Sequence, residues 1–232
     1  MERIENNEIM DIQDIILKVD NVSKSFKLIG NEELKVIDGL NLSIPKGKLI
    51  IIKGRSGSGK TTLLNILGAL DAATSGEVTF MDRQYSLLSE EEKEYIRRYD
   101  MGFVFQSIAL IPIMNAYENI DFVLRNAGFR DDRDGRIREV LSLVGLSDRI
   151  THYPAQLSGG EQQRTAIARA IAHRPKVVFA DEPTGALDTS TGIVVVKLFK
   201  ELIKREGITV IMTTHDEGLM DMADIVIRLG EN

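Results

Sequence analysis

Residues 49–67 read LIIIKGRSGSGKTTLLNIL, and this stretch decides the fold class of the chain. The apolar run from Leu49 to Ile52 has the length of a buried strand, and the run from Thr62 to Leu67 has the composition of a helix. Between them, Gly54 to Thr61 matches the pattern G-x-x-x-x-G-K-[ST] at every position. A buried strand that leads through a glycine-rich loop into a helix predicts an α/β fold with a P-loop NTPase core and a mainly parallel sheet.

The glycine-rich loop has the chemistry of a phosphate-binding site. Glycines let successive backbone N–H groups converge on one anion, and the N-terminus of the following helix adds unpaired donors. Lys60 supplies a mobile cation for β and γ phosphates, and the Thr61 hydroxyl is an oxygen ligand suited to Mg²⁺. The residues expected to contact the nucleotide here are Gly54, Ser56, Gly57, Ser58, Gly59, Lys60, Thr61 and Thr62.

A second strand-sized apolar run, Val177 to Ala180, ends in the acidic pair Asp181-Glu182. Sites in parallel-sheet proteins gather at the carboxyl ends of strands, so this pair is expected to face the phosphate-binding loop. Asp181 is then placed to hold Mg²⁺, directly or through water, and Glu182 to act as general base on the attacking water. If the sequence held no phosphate-binding loop, two acidic residues after a strand would indicate only surface charges or a helix N-cap.

Composition excludes several classes of protein. A formal net charge of −6 argues against a duplex nucleic-acid binder, and the absence of cysteine excludes a disulfide framework or a thiolate zinc site. No apolar run approaches the roughly 18 residues of a membrane span. Residues Met1 to Asp14 lack the basic and apolar regions of a secretory signal. We expect a cytoplasmic protein that binds no nucleic acid and meets a membrane only through a partner.

Short apolar runs alternate with helical patterns along the chain, as in a sheet covered by helices. The segment 106–176 carries only helical patterns, and it is longer than a single crossover connection between two parallel strands needs to be. This predicts one domain over residues 1–232 with a helical subdomain, residues 107–172, inserted in its core, and residues 1–14 are a candidate for a disordered extension. The predicted strands are 15–19, 35–44, 49–53, 101–105, 177–180, 209–213 and 225–229, the first two antiparallel, and the predicted helices are 60–70, 90–99, 114–126, 132–144, 160–172 and 191–205.

Further motifs follow one another in a fixed order. Gln106 comes after a predicted strand, LSGGEQQR at 157–164 comes before a predicted helix, Ala186-Leu187-Asp188 follows the acidic pair, and His215 follows another strand. Together with the phosphate-binding loop, this ordered set resembles the ATP-binding cassette of ABC transporters over nearly the whole chain. Within that family, the stretches 55–65, 102–106, 153–160 and 180–188 together resemble the branch that serves lipoprotein release, macrolide export and resistance to peptide antibiotics.

The resemblance implies roles for residues that would otherwise be ordinary surface positions. Gln106 would offer an oxygen to Mg²⁺ and register the γ-phosphate. His215 would hydrogen-bond the γ-phosphate and orient water. Phe26 would stack on adenine, although its position also fits an ordinary aromatic at a strand edge. With Lys60 and Glu182, Gln106 and His215 complete the expected catalytic set.

The resemblance also implies that two copies share each site. The 157–164 motif and the phosphate-binding loop are expected to lie far apart on one subunit, so a head-to-tail homodimer would complete both sites. Ser158, Gly159 and Gly160 would place a hydroxyl and backbone N–H groups on the γ-phosphate bound by the facing copy, and Asp188 would contact that copy's loop. ATP would then join the two copies, and its hydrolysis would release them.

The function implied is that of an ATPase, using ATP and Mg²⁺, that drives a membrane permease with an extracytoplasmic domain. Its work would be export, extraction or mechanotransmission, performed on the inner face of the cell membrane. The apolar run Ile108 to Met114 would receive the permease, although it fits core packing of its loop equally well. The alternative is a soluble or regulatory cassette, in cell division or on nucleic acid or ribosomes. Relatives that act on nucleic acid or ribosomes usually carry coiled coils, zinc modules or a second cassette, and this sequence has none, whereas a regulatory cassette would share every motif found here.

Three departures from the family pattern leave these chemical roles intact. Phe26 stands where tyrosine is frequent, which keeps stacking but loses a hydroxyl. Thr165 stands where a branched apolar residue is common. Because the sequence ends three residues after Leu229, the closing hairpin of many relatives is expected to be short here.

Overall fold

The computed structural model describes residues 14–27, 32–185 and 189–230 of the chain. Its strands are β1 (Ile15–Lys27), β2 (Glu33–Pro45), β3 (Leu49–Lys53), β4 (Ser75–Phe80), β5 (Arg83–Gln84), β6 (Met101–Val104), β7 (Val177–Ala180), β8 (Thr209–Thr213) and β9 (Ile225–Arg228). Its α-helices are α1 (Lys60–Leu67), α2 (Glu90–Tyr99), α3 (Ala116–Asn126), α4 (Arg133–Leu143), α5 (Gly159–Ile171) and α6 (Thr189–Glu206). Except for Asp14, the segment 1–14 lies outside the described residues, so its expected disorder stays a prediction.

A five-stranded parallel sheet forms the centre of the fold. Its order is β6-β7-β8-β3-β9, and every pair of neighbours runs parallel. The apolar runs Leu49–Ile52 and Val177–Ala180 are buried along their full length, as strands covered on both faces must be. This sheet, with the helices around it, confirms the predicted α/β fold.

A second sheet is antiparallel, with the order β2-β1-β4-β5. The predicted antiparallel pairing of the first two strands is confirmed. Strand β1 is longer than the predicted 15–19, however, and continues to Lys27, where it still pairs with β2. The strands β4 and β5 were not predicted, because Ser75–Phe80 contains polar residues and glycine and has no strong apolar alternation. Strand β4 pairs with β1, and β5 pairs with β4.

The two faces of β3 belong to different apolar clusters. Ile50 and Ile52 pack with residues of the antiparallel sheet and α1, whereas Leu49 and Ile51 pack with residues of α3, α4, α5 and α6. Side chains alternate across a strand, so one short strand joins both halves of the core. Strand β3 is therefore held on both faces, next to the loop that follows it.

Between β6 and β7 the described residues form α3, α4, α5 and short 3-10 turns, as the helical patterns predict. Their buried side chains belong to the same cluster as one face of the parallel sheet. A separate helical subdomain at 107–172 remains a prediction, because these helices and the sheet share one apolar cluster. Among the described helices, none is long and apolar enough to cross a membrane.

One buried arginine links three helices. Arg136 of α4 is 4% exposed and donates to the carbonyl oxygens of Ile171 and Ala172, at the C-terminal end of α5. It also makes a bidentate pair with Glu206 at the end of α6, at 2.9 and 3.0 Å. A buried guanidinium is tolerated when its donors are satisfied in this way. The ends of α5 and α6 are thereby fixed to α4.

Helix α5 approaches β6 so closely at Gly102 that a side chain has no room. A Cβ atom there would overlap the carbonyl oxygen of Ala170 and lie 3.3 Å from Cγ of Pro175. We expect Gly102→Ala to destabilise the fold by about 2 kcal/mol, because the backbone of α5 must move away. This corresponds to a fall in Tm of roughly 4–8 °C for a domain of this size, measurable by calorimetry.

Gly192 in α6 provides the matched control. A Cβ there would meet the Thr184 side chain at ordinary contact distances of 3.5 and 3.6 Å. Gly192→Ala should raise Tm slightly, because alanine favours a helix. Equal Tm values for the two variants would contradict the close approach of α5 and β6.

Candidate functional site

The phosphate-binding loop connects the end of β3 to the start of α1. Gly57 and Gly59 have φ values of 78° and 90°, in the left-handed region that favours glycine. A Cβ on Gly59 would also lie only 2.7 Å from Cγ1 of Val36, and one on Gly54 would lie 2.8 Å from the carbonyl oxygen of Leu229. The glycines therefore allow a tight backbone turn immediately before the helix N-terminus.

Lys60 is the first residue of α1, and only 7% of it is exposed. Its ammonium donates to the carbonyl oxygens of Gly54 and Arg55, at 2.9 and 3.1 Å, so the loop wraps around the cation. An ammonium has three donors, which leaves one beyond these two bonds. The buried hydroxyl of Ser58 has no hydrogen-bond partner within the described parts of the chain. A cation and an unsatisfied hydroxyl in one loop suit an anionic ligand.

The acidic pair lies beside this loop. Asp181 follows β7, and its Oδ2 accepts a hydrogen bond of 2.8 Å from the Thr61 hydroxyl. The backbone N–H of Asp181 donates to Val104 at 2.9 Å, which extends the pairing of β6 and β7 by one residue. Two of the expected Mg²⁺ ligands, a hydroxyl and a carboxylate, are thus in contact, and oxygen ligands of this kind are the ones Mg²⁺ prefers.

Thr213, at the end of β8, is a functional candidate that the sequence did not reveal. Its buried hydroxyl donates to Oδ1 of Asp181 at 2.7 Å and accepts from the backbone N–H of Glu182 at 2.8 Å. One side chain therefore orients both acids. The only signal in the sequence was a hydroxyl residue at the end of a strand whose three middle residues are apolar.

Glu182 lies at the centre of a second group of side chains. Its Oε2 is 3.4 Å from Nε2 of Gln106 and 3.7 Å from Nδ1 of His215. Its φ of 44° is unusual for a residue other than glycine and costs roughly 1–2 kcal/mol. The hydrogen bond from its N–H to Thr213 helps to hold this conformation. The three polar groups come from the ends of the neighbouring strands β6, β7 and β8.

The 157–164 motif starts α5. Ser158 is the N-cap of the helix. Its hydroxyl accepts a hydrogen bond from the N–H of Glu161, and the Glu161 carboxylate accepts one from the N–H of Ser158. A Cβ on Gly159 would meet nothing within 4 Å, and Ser158 and Gly159 are exposed, while Gly160 is half-buried. No described hydrogen bond joins this turn to the phosphate-binding loop of the same copy.

Two expected contacts with nucleotide remain predictions. Phe26 lies in β1, opposite Leu34 of β2, and is 40% exposed. The Lys24 ammonium lies 5.1 Å from the centre of its ring, so the ring face is already close to a cation. Asp188 lies outside the described residues.

Residues 37–185 match the profile of the family described as "ABC transporter". The chain is 46% identical over 211 residues to the uncharacterized ABC transporter ATP-binding protein MJ1508 of Methanocaldococcus jannaschii, with 88% of this chain and 92% of that protein aligned. It is 44% identical to the ABC transporter ATP-binding protein YbbA of Escherichia coli K12, over 92% and 94% of the two chains. It is 40% identical to the macrolide export ATP-binding/permease protein MacB of Syntrophobacter fumaroxidans, over 92% of this chain and 30% of that protein.

Comparison of structures gives the same family. The fold is similar to a dimeric structure of the ATP-binding cassette MJ0796 in a post-hydrolysis state bound to ADP and Pi. The TM-score is 0.84 at 40% sequence identity, and the match covers 92% of this chain and 94% of that one. These similarities confirm the resemblance inferred from the ordered motifs, including the branch that contains MacB.

The loop geometry predicts the effect of removing its cation. Lys60→Ala should weaken the binding of a nucleoside triphosphate by about tenfold or more, because the phosphates lose a charge-assisted hydrogen bond worth roughly 1.5–3 kcal/mol. Isothermal titration calorimetry with ATP and MgCl₂ measures this directly.

Lys53 offers a matched control at the end of the preceding strand. Its ammonium pairs with the exposed Glu217 at 2.7 Å and not with the loop. Lys53→Ala should therefore bind ATP nearly as the parent does. Unaltered affinity in Lys60→Ala, or an equal loss in both variants, would remove Lys60 from the binding site.

Proposed function

The chain belongs to the ABC transporter family of ATP-binding proteins, and we propose that it uses ATP, as one half of a homodimer, to drive a partner membrane permease. As a member of this family it is an ATPase that binds ATP with Mg²⁺. The observation that supports the proposal best is the gathering of Thr61, Asp181 and Glu182 at one edge of the parallel sheet.

In the proposed reaction, the phosphate-binding loop and Lys60 hold the β and γ phosphates. Thr61 and Asp181, with Gln106, would hold Mg²⁺, which when bound neutralises the charge of the phosphates. Glu182 accepts a proton from water as the water oxygen attacks the γ-phosphorus. The bond between the γ-phosphorus and the β–γ bridging oxygen breaks, and ADP leaves with phosphate as the second product.

The side chains around Glu182 suit its role as base. Gln106 donates to the oxygen Oε2 at 3.4 Å and His215 lies 3.7 Å from it, so the carboxylate has one hydrogen-bond donor and a nearby imidazole while remaining near solvent. His215 is mostly exposed and is free to turn towards a γ-phosphate. Thr213 fixes the backbone of Glu182 in its unusual conformation. The base is therefore held from its backbone and from its carboxylate.

The homodimer would complete each site. Ser158 and Gly159 are exposed, and the turn that they form with Gly160 makes no described hydrogen bond to the loop of its own copy, so a second copy is the natural source of the phosphate that it would contact. The dimeric structures of the similar cassette MJ0796 support this arrangement. We propose that Phe26 and Asp188 add contacts with adenine and with the facing copy, as the family resemblance implies.

The loop after Gln106 is the proposed contact with the permease. Asn119 of α3 fixes the loop, since its side chain accepts from the N–H of Ile111 and donates to the carbonyl oxygen of Met114, each at 2.8 Å. Ile113 between these anchors is 83% exposed. An apolar side chain presented on a fixed loop favours docking over core packing for this residue, while Leu110 and Ile111 are half-buried.

The chain would accordingly act on the cytoplasmic side of the membrane, held there by a permease with an extracytoplasmic domain, in export, extraction or mechanotransmission. The relative MacB is named as an ATP-binding and permease protein, which supports the pairing of this chain with a permease. A soluble or regulatory cassette acting in cell division, on nucleic acid or on ribosomes is not favoured, since the relatives are named as ATP-binding proteins of transporters.

Removing the base tests the proposed mechanism. Glu182→Gln keeps the shape of the side chain but cannot accept the proton, so ATP turnover should fall at least a hundredfold. ATP binding should persist, and the protein should form a dimer with ATP on size-exclusion chromatography. The control Glu90→Gln removes an exposed carboxylate that pairs with Lys93 on α2, and it should hydrolyse ATP at the parent rate. A Glu182→Gln protein that stays monomeric with normal turnover would contradict both the base and the dimer.

The proposed permease contact is tested by a charge on the loop. Ile113→Asp should prevent the tagged chain from recovering a membrane protein from detergent-solubilised membranes of its source cells, because an apolar contact cannot bury the carboxylate. Leu87→Asp is the matched control, since Leu87 is also an exposed apolar residue, at 76%, and lies outside this loop. Equal recovery with both variants would move the permease contact away from Ile113.

A further inference from the structure

The first turn of α5 carries a negative charge at the place where the proposed dimer must receive a phosphate. Glu161 is the third residue of this helix, and its Oε2 accepts from the N–H of Ser158 at 2.8 Å. This bond belongs to the capping box that shapes the turn. The carboxylate therefore supports the conformation of Ser158 and its two glycines, but its charge repels an approaching phosphate.

Arg149 supplies the charge that compensates Glu161. Its Nε donates to Oε1, the second carboxylate oxygen of Glu161, at 3.0 Å. Both oxygens are then engaged, one by the Ser158 N–H and one by the guanidinium. The Ser158 N–H first, and then Arg149, lower the pKa of Glu161 to about 2, so the carboxylate is ionised at physiological pH. The pair as a whole carries no net charge.

The backbone around Arg149 is fixed as well. Arg149 ends a 3-10 turn that follows α4, and its N–H donates to the carbonyl oxygen of Leu146 at 2.9 Å. The carbonyl oxygens of Ile150 and His152 accept the N–H groups of Tyr117 and Ala116, at the start of α3, each at 2.9 Å. The guanidinium thus extends from a segment tied to another helix, which limits the positions it can take.

We propose that Arg149 is a positioning residue for the ATP-bound dimer, because it neutralises Glu161 and holds the Ser158–Gly160 turn ready for the γ-phosphate of the facing copy. This inference rests on the proposed function, since it concerns the same shared site. The N-terminus of α5 offers backbone donors and the positive end of a helix dipole to an anion. With Arg149 in place, Glu161 shapes that turn without cancelling its attraction for phosphate.

The charge effect is separable from an ordinary structural role. Glutamine at 161 can still accept from the N–H of Ser158, so Glu161→Gln keeps the capping box and removes the charge. A merely structural ion pair at a partly exposed site would contribute about 0–1 kcal/mol to folding and nothing to dimerisation. The effect of Arg149→Gln should therefore depend on whether residue 161 is charged.

The test uses the Glu182→Gln protein as parent, because it should hold ATP without hydrolysing it. Sedimentation equilibrium with ATP and MgCl₂ gives the dimer dissociation constant, and a fluorescent ATP analogue gives the affinity of the monomer. Arg149→Gln should weaken the dimer about tenfold, equivalent to 1.4 kcal/mol, and leave monomer affinity as in the parent. Adding Glu161→Gln to Arg149→Gln should restore most of the lost dimer affinity, and Arg149→Lys should lose less than Arg149→Gln.

Arg138→Gln is the matched control, because Arg138 makes a similar ion pair with Asp134 on the exposed surface of α4, with Nε at 2.8 Å. It should dimerise as the parent does, and retained monomer affinity shows that each variant is folded. If Arg149→Gln has the dimer dissociation constant of the parent, or if adding Glu161→Gln restores no dimer affinity, the proposed role of Arg149 is wrong while the proposed function still stands. A parent that forms no dimer with ATP would instead overturn the proposed function, and this inference with it.

Discussion

The parallel pairing of β6, β7, β8 and β3 is the constraint on which the candidate site depends. Parallel strands end at the same edge of a sheet, so the residues that follow these four strands are brought together although they are far apart in sequence. The hydrogen bond between Thr61 and Asp181 joins the ends of β3 and β7, which are separated in the sheet by β8. Thr213, at the end of the intervening strand β8, contacts both acids.

The sheet can serve this purpose because its strands are buried on both faces. The alternating side chains of β3 enter two different apolar clusters, so neither face can shift without disturbing a core. The unusual backbone of Glu182 is tolerated in such a surrounding, since the N–H of Asp181 before it donates to Val104 and its own N–H donates to Thr213. The buried sheet therefore gives the residues at the strand ends a rigid support, while the same strand ends remain accessible to a phosphate.

The sequence was sufficient for the parts of the site that depend on neighbours along the chain. The loop 54–61, the acidic pair and the order of the motifs identified the fold class and the family, because each is a local pattern with a chemical reason. The side chains that hold these parts were not predictable. Thr213, Asn119, Arg136 and Arg149 act on groups brought near by folding, and their residue types are common at surfaces and strand ends. The strand β4 was missed for a related reason, since its pairing with β1 and not its own composition makes it a strand.

The segment before α3 and the start of α5 are connected by consecutive hydrogen bonds. Asn119 fixes the loop that exposes Ile113, the start of α3 binds the carbonyl oxygens of Ile150 and His152, and Arg149 then reaches Glu161. A partner bound at the loop would therefore act on a series of contacts that ends at the turn of Ser158. In the proposed dimer this turn receives the γ-phosphate of the facing copy, so the same few bonds would connect the permease contact with the nucleotide.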